Sequence, residues 1–195
     1  MNILAVSGSP RKGGNTSRIM KRIAAGAEKA GAAVTCVELC DYSIHGCIGC
    51  ERCRKDRTCT RFLDGMHLLY QTIEYADGLV LGSPTYNYNM THLMKIFIDR
   101  LYPYYNFTEQ RPGPYSSRLG NQGKKALVFG ICEQNDPKEA GYNVVSMADA
   151  LEALGYEVTG REVFTSLFAY GAASKDDASL KRAEELGKHF CIKAR

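Results

Sequence analysis

The sequence lacks several features that would indicate particular classes of protein. It has no tryptophan, only six prolines in 195 residues, and a net charge of only +4. The apolar segment that follows Met1 is far too short to span a membrane, and no basic segment precedes it. There is no block of like charge and no low-complexity tract, so neither nucleic-acid binding nor disorder is favoured. We therefore expect a cytoplasmic protein that binds neither nucleic acid nor a membrane.

Two nucleotide-binding signatures are also missing. The sequence contains neither Gly-x-Gly-x-x-Gly nor the Gly-Lys-Ser/Thr triplet of a P-loop. Binding of a dinucleotide pyrophosphate is therefore less favoured. Glu38 nevertheless stands at the end of the second predicted strand, where a ribose-binding acid would lie. A nucleotide-binding protein therefore stays open as an alternative.

Cysteine, in contrast, is abundant, with eight residues in the chain. In a reducing compartment, clustered cysteines indicate metal binding or redox chemistry more than structural disulfides. Four of them fall within thirteen residues, so they can reach one metal centre with little loss of loop entropy. The candidate ligands are Cys47, Cys50, Cys53 and Cys59.

Short apolar runs alternate with segments of helical periodicity along the whole chain. Strands are predicted at 2–6, 33–38, 78–83, 125–132 and 156–164, and helices at 16–30, from 64 onward, and at 90–101, 142–154 and 177–193. This alternation predicts an α/β fold, a doubly wound parallel sheet of five strands with helices on both faces. We expect one domain over 1–195, interrupted by a cysteine-rich loop at 45–60 and a long loop at 102–123.

The first predicted strand runs into a loop rich in glycine and hydroxyl groups. Its backbone can curl, and the helix that follows presents a positive N-terminus to an anion. Arg11 adds a fork of donors suited to a phosphate. The loop therefore predicts a site for a phosphate monoester, and its candidate residues are Ser7, Ser9, Arg11, Asn15, Thr16 and Ser17.

This loop resembles the FMN-phosphate loop of the NADPH-dependent FMN reductase family. The segment 83–90, Ser-Pro-Thr-Tyr-Asn-Tyr-Asn-Met, and the run from Lys95 to Arg100 resemble a second signature of that family. The resemblance implies a flavodoxin-like fold with strand order 2-1-3-4-5, and FMN as cofactor. It further implies that the flavin ring is lined by Pro84, Thr85, Tyr86 and Asn87. Cys132 ends the fourth predicted strand at the same edge, where it can contact the flavin.

The cysteine loop is similar to the cysteine motif of the iron-sulfur flavoproteins, a subgroup on the same fold. The resemblance implies FMN together with a [4Fe-4S] cluster on Cys47, Cys50, Cys53 and Cys59. Unlike ferredoxins, this chain has no proline after the last cysteine. A zinc site, a pair of redox-active thiols, and a cysteine-rich loop without any cluster stay open.

The segment 102–123 is too long for a simple connection and is rich in aromatic residues. It could cover the flavin of its own subunit or that of a neighbour. Exposed aromatic residues at this density indicate an interface, so we expect a homodimer or homotetramer.

Together these features predict an FMN-dependent oxidoreductase that passes electrons between FMN and a [4Fe-4S] cluster. The donor would be NAD(P)H, as a co-substrate, or ferredoxin, and the acceptor a small molecule. No side chain is predicted to be catalytic, because the flavin carries the reaction. The alternatives are an NAD(P)H-dependent FMN or quinone reductase without a cluster, and a non-enzymatic redox sensor or electron shuttle.

Overall fold

The computed structural model describes residues 1–192, and a five-stranded parallel sheet forms its centre. The strands in chain order are β1 Asn2–Ser7, β2 Ala33–Glu38, β3 Gly78–Pro84, β4 Tyr105–Phe107, β5 Tyr115–Ser117, β6 Lys125–Ile131 and β7 Glu157–Phe164. The helices are α1 Asn15–Lys29, α2 Cys53–Asp56, α3 His67–Tyr75, α4 His92–Asp99, α5 Asn143–Ala153 and α6 Asp177–Phe190.

The central sheet has the order β2-β1-β3-β6-β7, and every neighbouring pair is parallel. Since β4 and β5 form a separate hairpin, this is the predicted order 2-1-3-4-5, which is confirmed. The inner strands β1 and β3 are buried along almost their whole length. That burial explains why they read as continuous apolar runs. Near Gly160 the register of β7 against β6 shifts at a bulge.

Helices cover both faces of the sheet, as predicted. Leu4 and Val6 of β1 face one core cluster, which also contains buried residues of α3, α4 and α5. Ile3 and Ala5 face the other, which contains buried residues of α1 and α6. The alternation of side chains along one strand thus separates the two halves of the core. Within residues 1–192, no helix combines the length and apolar character needed to cross a membrane.

Element boundaries differ from the predictions by a few residues. Helix α4 begins later than predicted, because the Thr91 side chain caps it by accepting from the Met94 amide. Helix α6 ends at Phe190. Its predicted end at Lys193 lies outside the described residues.

The long loop contains structure that the sequence did not predict. Its strands β4 and β5 pair antiparallel in register Tyr105 with Ser117 and Phe107 with Tyr115. The rings of Tyr105 and Tyr115 lie 5.5 Å apart, edge to face. Cross-strand aromatic contacts stabilise such short strands. Each strand has only three residues, which is too short for an alternating pattern to be distinguished from a loop.

Candidate active site

The loops that follow β1 and β3 are joined by buried polar contacts. The Gly8 amide donates to the Gly82 carbonyl over 2.8 Å, and the Thr91 hydroxyl donates to the Gly8 carbonyl over 2.5 Å. The Thr91 amide donates to the Ser83 hydroxyl over 3.0 Å. A Cβ atom at Gly8 would lie 2.7 Å from the Cβ of Met94, so only glycine lets α4 pack this closely. Thr91 therefore ties the two predicted cofactor loops together.

Between these loops lies a cavity of about 310 Å³, the strand-edge cavity. It is lined by eight predicted site residues: Ser9, Arg11, Asn15, Thr16, Pro84, Thr85, Tyr86 and Asn87. It is also lined by four residues that the sequence did not single out: Ile131, Glu133, Leu167 and Phe168. The remaining candidates Ser7, Ser17 and Cys132 are buried and do not line it. Two distant sequence motifs and the end of β6 thus meet at one cavity.

The first loop is shaped by its own hydrogen bonds. The Ser9 hydroxyl accepts from the Arg11 amide over 3.1 Å, and the Gly13 amide donates to the Glu38 carboxylate over 2.9 Å. Glu38 therefore stabilises this loop, and its carboxylate is engaged there. This contact gives Glu38 a structural role, and its interpretation as a ribose-binding acid stays a prediction.

The N-terminus of α1 has the features of an anion site. Within the described part of the chain, the amides of Asn15, Thr16 and Ser17 donate to no acceptor. The hydroxyl of Ser17 is buried and has no hydrogen-bond partner there. The first turn carries no acidic residue. Free amide donors and the helix dipole together favour a phosphate at this position.

The side chain of Asn15 binds a distant segment of the chain, a role that its residue type did not indicate. Its amide group donates to the carbonyls of Leu167 and Ala169, over 3.3 and 3.0 Å, and its oxygen accepts from the Ala173 amide over 3.1 Å. Both N–H bonds of the side chain are thereby used. Arg11 also donates to the Phe168 carbonyl, over 3.3 Å. The segment 167–173 is therefore held against the first loop, a contact that no local pattern indicates.

The loop after β3 is a tight turn. Tyr86 and Asn89 exchange backbone hydrogen bonds of 2.8 and 3.1 Å, and Asn87 and Tyr88 have positive φ angles of 47° and 62°. The buried Asn143, from the start of α5, donates to the Ser83 carbonyl and the Thr85 hydroxyl, each over 3.0 Å. Asn143 therefore fixes the turn from behind, and its side-chain oxygen has no partner in residues 1–192.

A second cavity, of about 420 Å³, lies at the cysteine loop. This cysteine cavity is lined by all four predicted ligands, Cys47, Cys50, Cys53 and Cys59, together with residues that include Ile48, Arg61, Phe62, Tyr70, Arg100 and Tyr102. Burial, together with the neighbouring Cys59, Cys47 and Cys50, raises the pKa of Cys53 to about 11. The four thiols are thus close enough to interact electrostatically.

The thiols surround a space without converging on one point. No three His, Cys, Asp or Glu side chains among residues 1–192 are grouped so that they could hold a single metal ion. A tetrahedral zinc site requires such a group. A four-iron cluster is held instead by four thiolates arranged around it. Within residues 1–192 the four thiols therefore form no site for a single metal ion.

The cysteine loop is anchored at its two ends. The His45 amide donates to the Asp64 carboxylate over 2.9 Å, and the His45 carbonyl accepts from Arg100 over 2.8 Å. The carbonyl of Cys59 lies 2.8 Å from the His67 ring nitrogen Nε2. Between these anchors the first two cysteines are exposed.

The hairpin β4–β5 packs against the cysteine loop. Arg54 donates to the Thr108 carbonyl over 2.9 Å, and Arg118 donates to the Arg57 carbonyl over 3.2 Å. No residue of 102–123 lines the strand-edge cavity. In this chain the long segment therefore lies over the cysteine loop and away from the predicted flavin loops of the same subunit.

Comparisons with known proteins identify the family of this chain. The sequence model of the NADPH-dependent FMN reductase family matches residues 1–132. An iron-sulfur flavoprotein of Archaeoglobus fulgidus is 32% identical over 190 residues, which cover 96% of this chain and 77% of that protein. An iron-sulfur flavoprotein of Methanocaldococcus jannaschii is 30% identical over 198 residues, which cover 96% of this chain and 94% of that protein.

A likeness among solved structures supports the fold. An NAD(P)H:quinone oxidoreductase from Methanothermobacter marburgensis superposes with a TM-score of 0.76 at 16% identity, over 100% of this chain and 99% of that one. The strand order is that of flavodoxin-like proteins. With the family model covering more than half of the sequence, the chain belongs to the NADPH-dependent FMN reductase family and is an FMN-dependent oxidoreductase.

Proposed function

We propose that this chain is an iron-sulfur flavoprotein, which holds FMN in the strand-edge cavity and a [4Fe-4S] cluster in the cysteine cavity. The observation that carries the proposal is that all four cysteines of the motif line one cavity. The names of the two relatives described above agree with it. When bound, the flavin would exchange electron pairs with small molecules, and the cluster would exchange single electrons.

The residues of the strand-edge cavity fit the parts of FMN. The free amides of α1, with Ser9, Arg11 and Thr16, would bind the phosphate. Arg11 would turn from the Phe168 carbonyl to do so. Asn15 would contribute its amide, while its side chain holds the segment 167–173. The cavity would also be supported by three buried candidates that do not line it, Ser7, Ser17 and Cys132.

The turn after β3 would line the flavin ring. Pro84, Thr85, Tyr86 and Asn87 present a stiff backbone and an aromatic face on one side of the cavity. Asn143 orients Thr85 through its amide. These residues would bind and orient the flavin ring, and none of them is assigned a role in proton transfer.

The electron donor would be NAD(P)H or ferredoxin, and the acceptor a small molecule. The quinone oxidoreductase with a similar fold is described by name as using NAD(P)H and quinone. We further propose that the chain is one cytoplasmic domain over 1–195 and forms a homodimer or homotetramer. The exposed aromatic residues Tyr86, Tyr88 and Phe168 around the strand-edge cavity support an interface there.

Anaerobic purification tests the two cofactors separately. We expect a yellow-brown protein with about one FMN and about four irons per chain, with broad absorbance in the visible beyond the flavin bands. Cys53→Ser should lose the iron and keep FMN. Cys36→Ser, at a cysteine of β2 outside the cavity, should keep both. Iron-free wild type that binds FMN after anaerobic reconstitution would refute the cluster and leave the flavoprotein intact.

A reductase without a cluster is the second candidate. The absence of a converging ligand group in the described residues favours it. In that case the iron-free chain should oxidise NAD(P)H steadily with added FMN or quinone, and Cys53→Ser should turn over at the wild-type rate. A relay that only senses redox state would show no such turnover.

A further inference from the structure

A buried cation lies at the wall of the cysteine cavity. The side chain of Arg100 is 2% exposed, and that of its partner Asp64 is 4% exposed. Arg100 lines the cavity and Asp64 does not. The positively charged residue of a buried ion pair therefore lines the cavity. A cation in this setting is far less screened by solvent than one at the surface.

The hydrogen bonds of Arg100 connect it to the start of the cysteine loop. Its Nη1 donates to the His45 carbonyl over 2.8 Å and to Asp64 over 2.7 Å, and its Nη2 donates to Asp64 over 3.1 Å. His45 is two residues before Cys47. The rigid fork of the guanidinium thus fixes where the loop begins.

One donor of Arg100 is unused. Its Nε is buried and has no hydrogen-bond partner in residues 1–192. A buried donor without a partner is costly, so native proteins seldom leave one unexplained. A sulfur of a bound cluster or of its ligands would supply the missing acceptor.

We infer that Arg100 is a positioning residue for the cluster, which fixes the first cysteine and places a buried positive charge beside the thiolates. This inference rests on the proposed function. Reduction adds one negative charge to a cluster, so a nearby buried cation stabilises the reduced form and raises its potential. Loss of the cation should lower the potential and loosen the loop.

Arg61 provides a matched control. The guanidinium carbons of Arg61 and Arg100 each lie 5.7 Å from the centroid of the same Phe62 ring. Arg61, however, is exposed. The two residues therefore differ in burial while sharing charge, type and neighbour. Because Arg61 also lines the cysteine cavity, Arg61→Gln should lower the potential, but far less than loss of Arg100, since water screens its charge.

The experiment compares Arg61→Gln, Arg100→Lys and the double variant Arg100→Gln with Asp64→Asn. The double variant removes both charges and avoids a buried carboxylate without a partner. Each protein is reconstituted anaerobically, and FMN binding checks its fold. The measurements are the midpoint potential of the cluster and the rate of iron loss to a chelator.

We expect a lower potential and about tenfold faster iron loss in the double variant. Arg100→Lys should keep most of the potential but lose iron faster, because lysine keeps the charge without the fork. If a folded double variant matches Arg61→Gln in both measurements, the inference is wrong while the cluster proposal stands. If wild type itself takes up no iron, the cluster proposal fails and the inference falls with it.

Discussion

The loops around the strand-edge cavity are tied to one another, whereas the backbone amides in the first part of the cysteine loop, 46–52, make almost no hydrogen bonds in the described chain. Thr91 joins the loops after β1 and β3, and Asn143 braces the second of them. Between Gly46 and Arg52, the only backbone amide with a hydrogen-bond acceptor in the described chain is that of Gly49, which donates to the Cys47 sulfur over 3.5 Å. The first region is therefore held by its own hydrogen bonds, and the amides of 46–52 are not.

The difference has a physical origin in the sheet. The carboxyl ends of β1 and β3 are adjacent and buried, so unpaired polar groups there would be costly and are satisfied by neighbours. The cysteine loop follows the edge strand β2 and is largely exposed to water. Water can satisfy its backbone, so the loop does not need internal hydrogen-bond partners.

Hydrogen exchange should show the largest contrast between the two regions. In the iron-free chain, we expect the amides of 46–52 to exchange at least about a hundredfold faster than those of Gly8 and Thr91, whose amides are bonded and buried. Iron loading should slow amide exchange in 46–52 and leave the exchange rate of the Gly8 amide unchanged. Mass spectrometry of deuterated peptides measures both. Equal protection of the two regions without iron would remove the distinction.

The anchor of the cysteine loop should appear in the pH dependence of stability. Burial opposes ionisation of Asp64, but hydrogen bonds from Arg100, His45 and Met66 outweigh it and lower its pKa from 3.8 to about 2. A depressed pKa stabilises the folded state above the ordinary pKa, and this contribution is lost as pH falls from about 4 to about 2.

A comparison of wild type with Asp64→Asn isolates this effect. Urea unfolding between pH 5 and pH 2 should show wild type losing roughly 2 kcal/mol more than the variant, since each unit of pKa shift corresponds to about 1.4 kcal/mol. Parallel stability curves for the two proteins would mean that the ion pair does not hold the loop in this way.

The tie between the flavin loops should have a smaller but specific effect. Thr91→Val keeps the shape of the side chain, and it leaves the buried Gly8 carbonyl without its donor. A buried carbonyl without a donor costs about 1–3 kcal/mol, so we expect FMN to bind about tenfold more weakly. Iron uptake should be unchanged. Fluorescence titration of FMN measures the affinity.

Thr159→Val is the control for this variant. Its hydroxyl also donates to a backbone carbonyl, that of Ala126 over 3.2 Å, but it lies on β7 outside the cavity. This variant should bind FMN normally. If the two variants weaken FMN equally, or if Thr91→Val loses iron as well, the two regions are not independent.

The contrast also explains what the sequence could predict. The positions of strands and helices follow from local periodicity, which β1, β3 and α1 each carry in full. The strand order follows from the family resemblance. The convergence of the two flavin loops follows from the rule that carboxyl ends of parallel strands share an edge. The eight lining residues could therefore be predicted from motifs alone.

The remaining parts depend on contacts between distant residues. Thr91 and Gly8 are 83 positions apart, and Asn15 and Ala173 are 158 apart. A threonine before a helix is typical of a helix cap, and Thr91 does cap α4. Its hydrogen bond to the Gly8 carbonyl therefore has no sequence pattern of its own. Arg100 was part of a recognised motif, but only the structure reveals its burial beside Asp64.

The smallest effect concerns the hairpin over the cysteine loop. Glu51 pairs with Arg111 over 2.5 Å, and both side chains are exposed. Exposed ion pairs contribute little, because water and salt screen them. Glu51→Gln should therefore leave the urea midpoint, the FMN affinity and the iron content unchanged. A fall in the midpoint that vanishes at high salt would contradict this, because the exposed ion pair would then contribute measurably to stability.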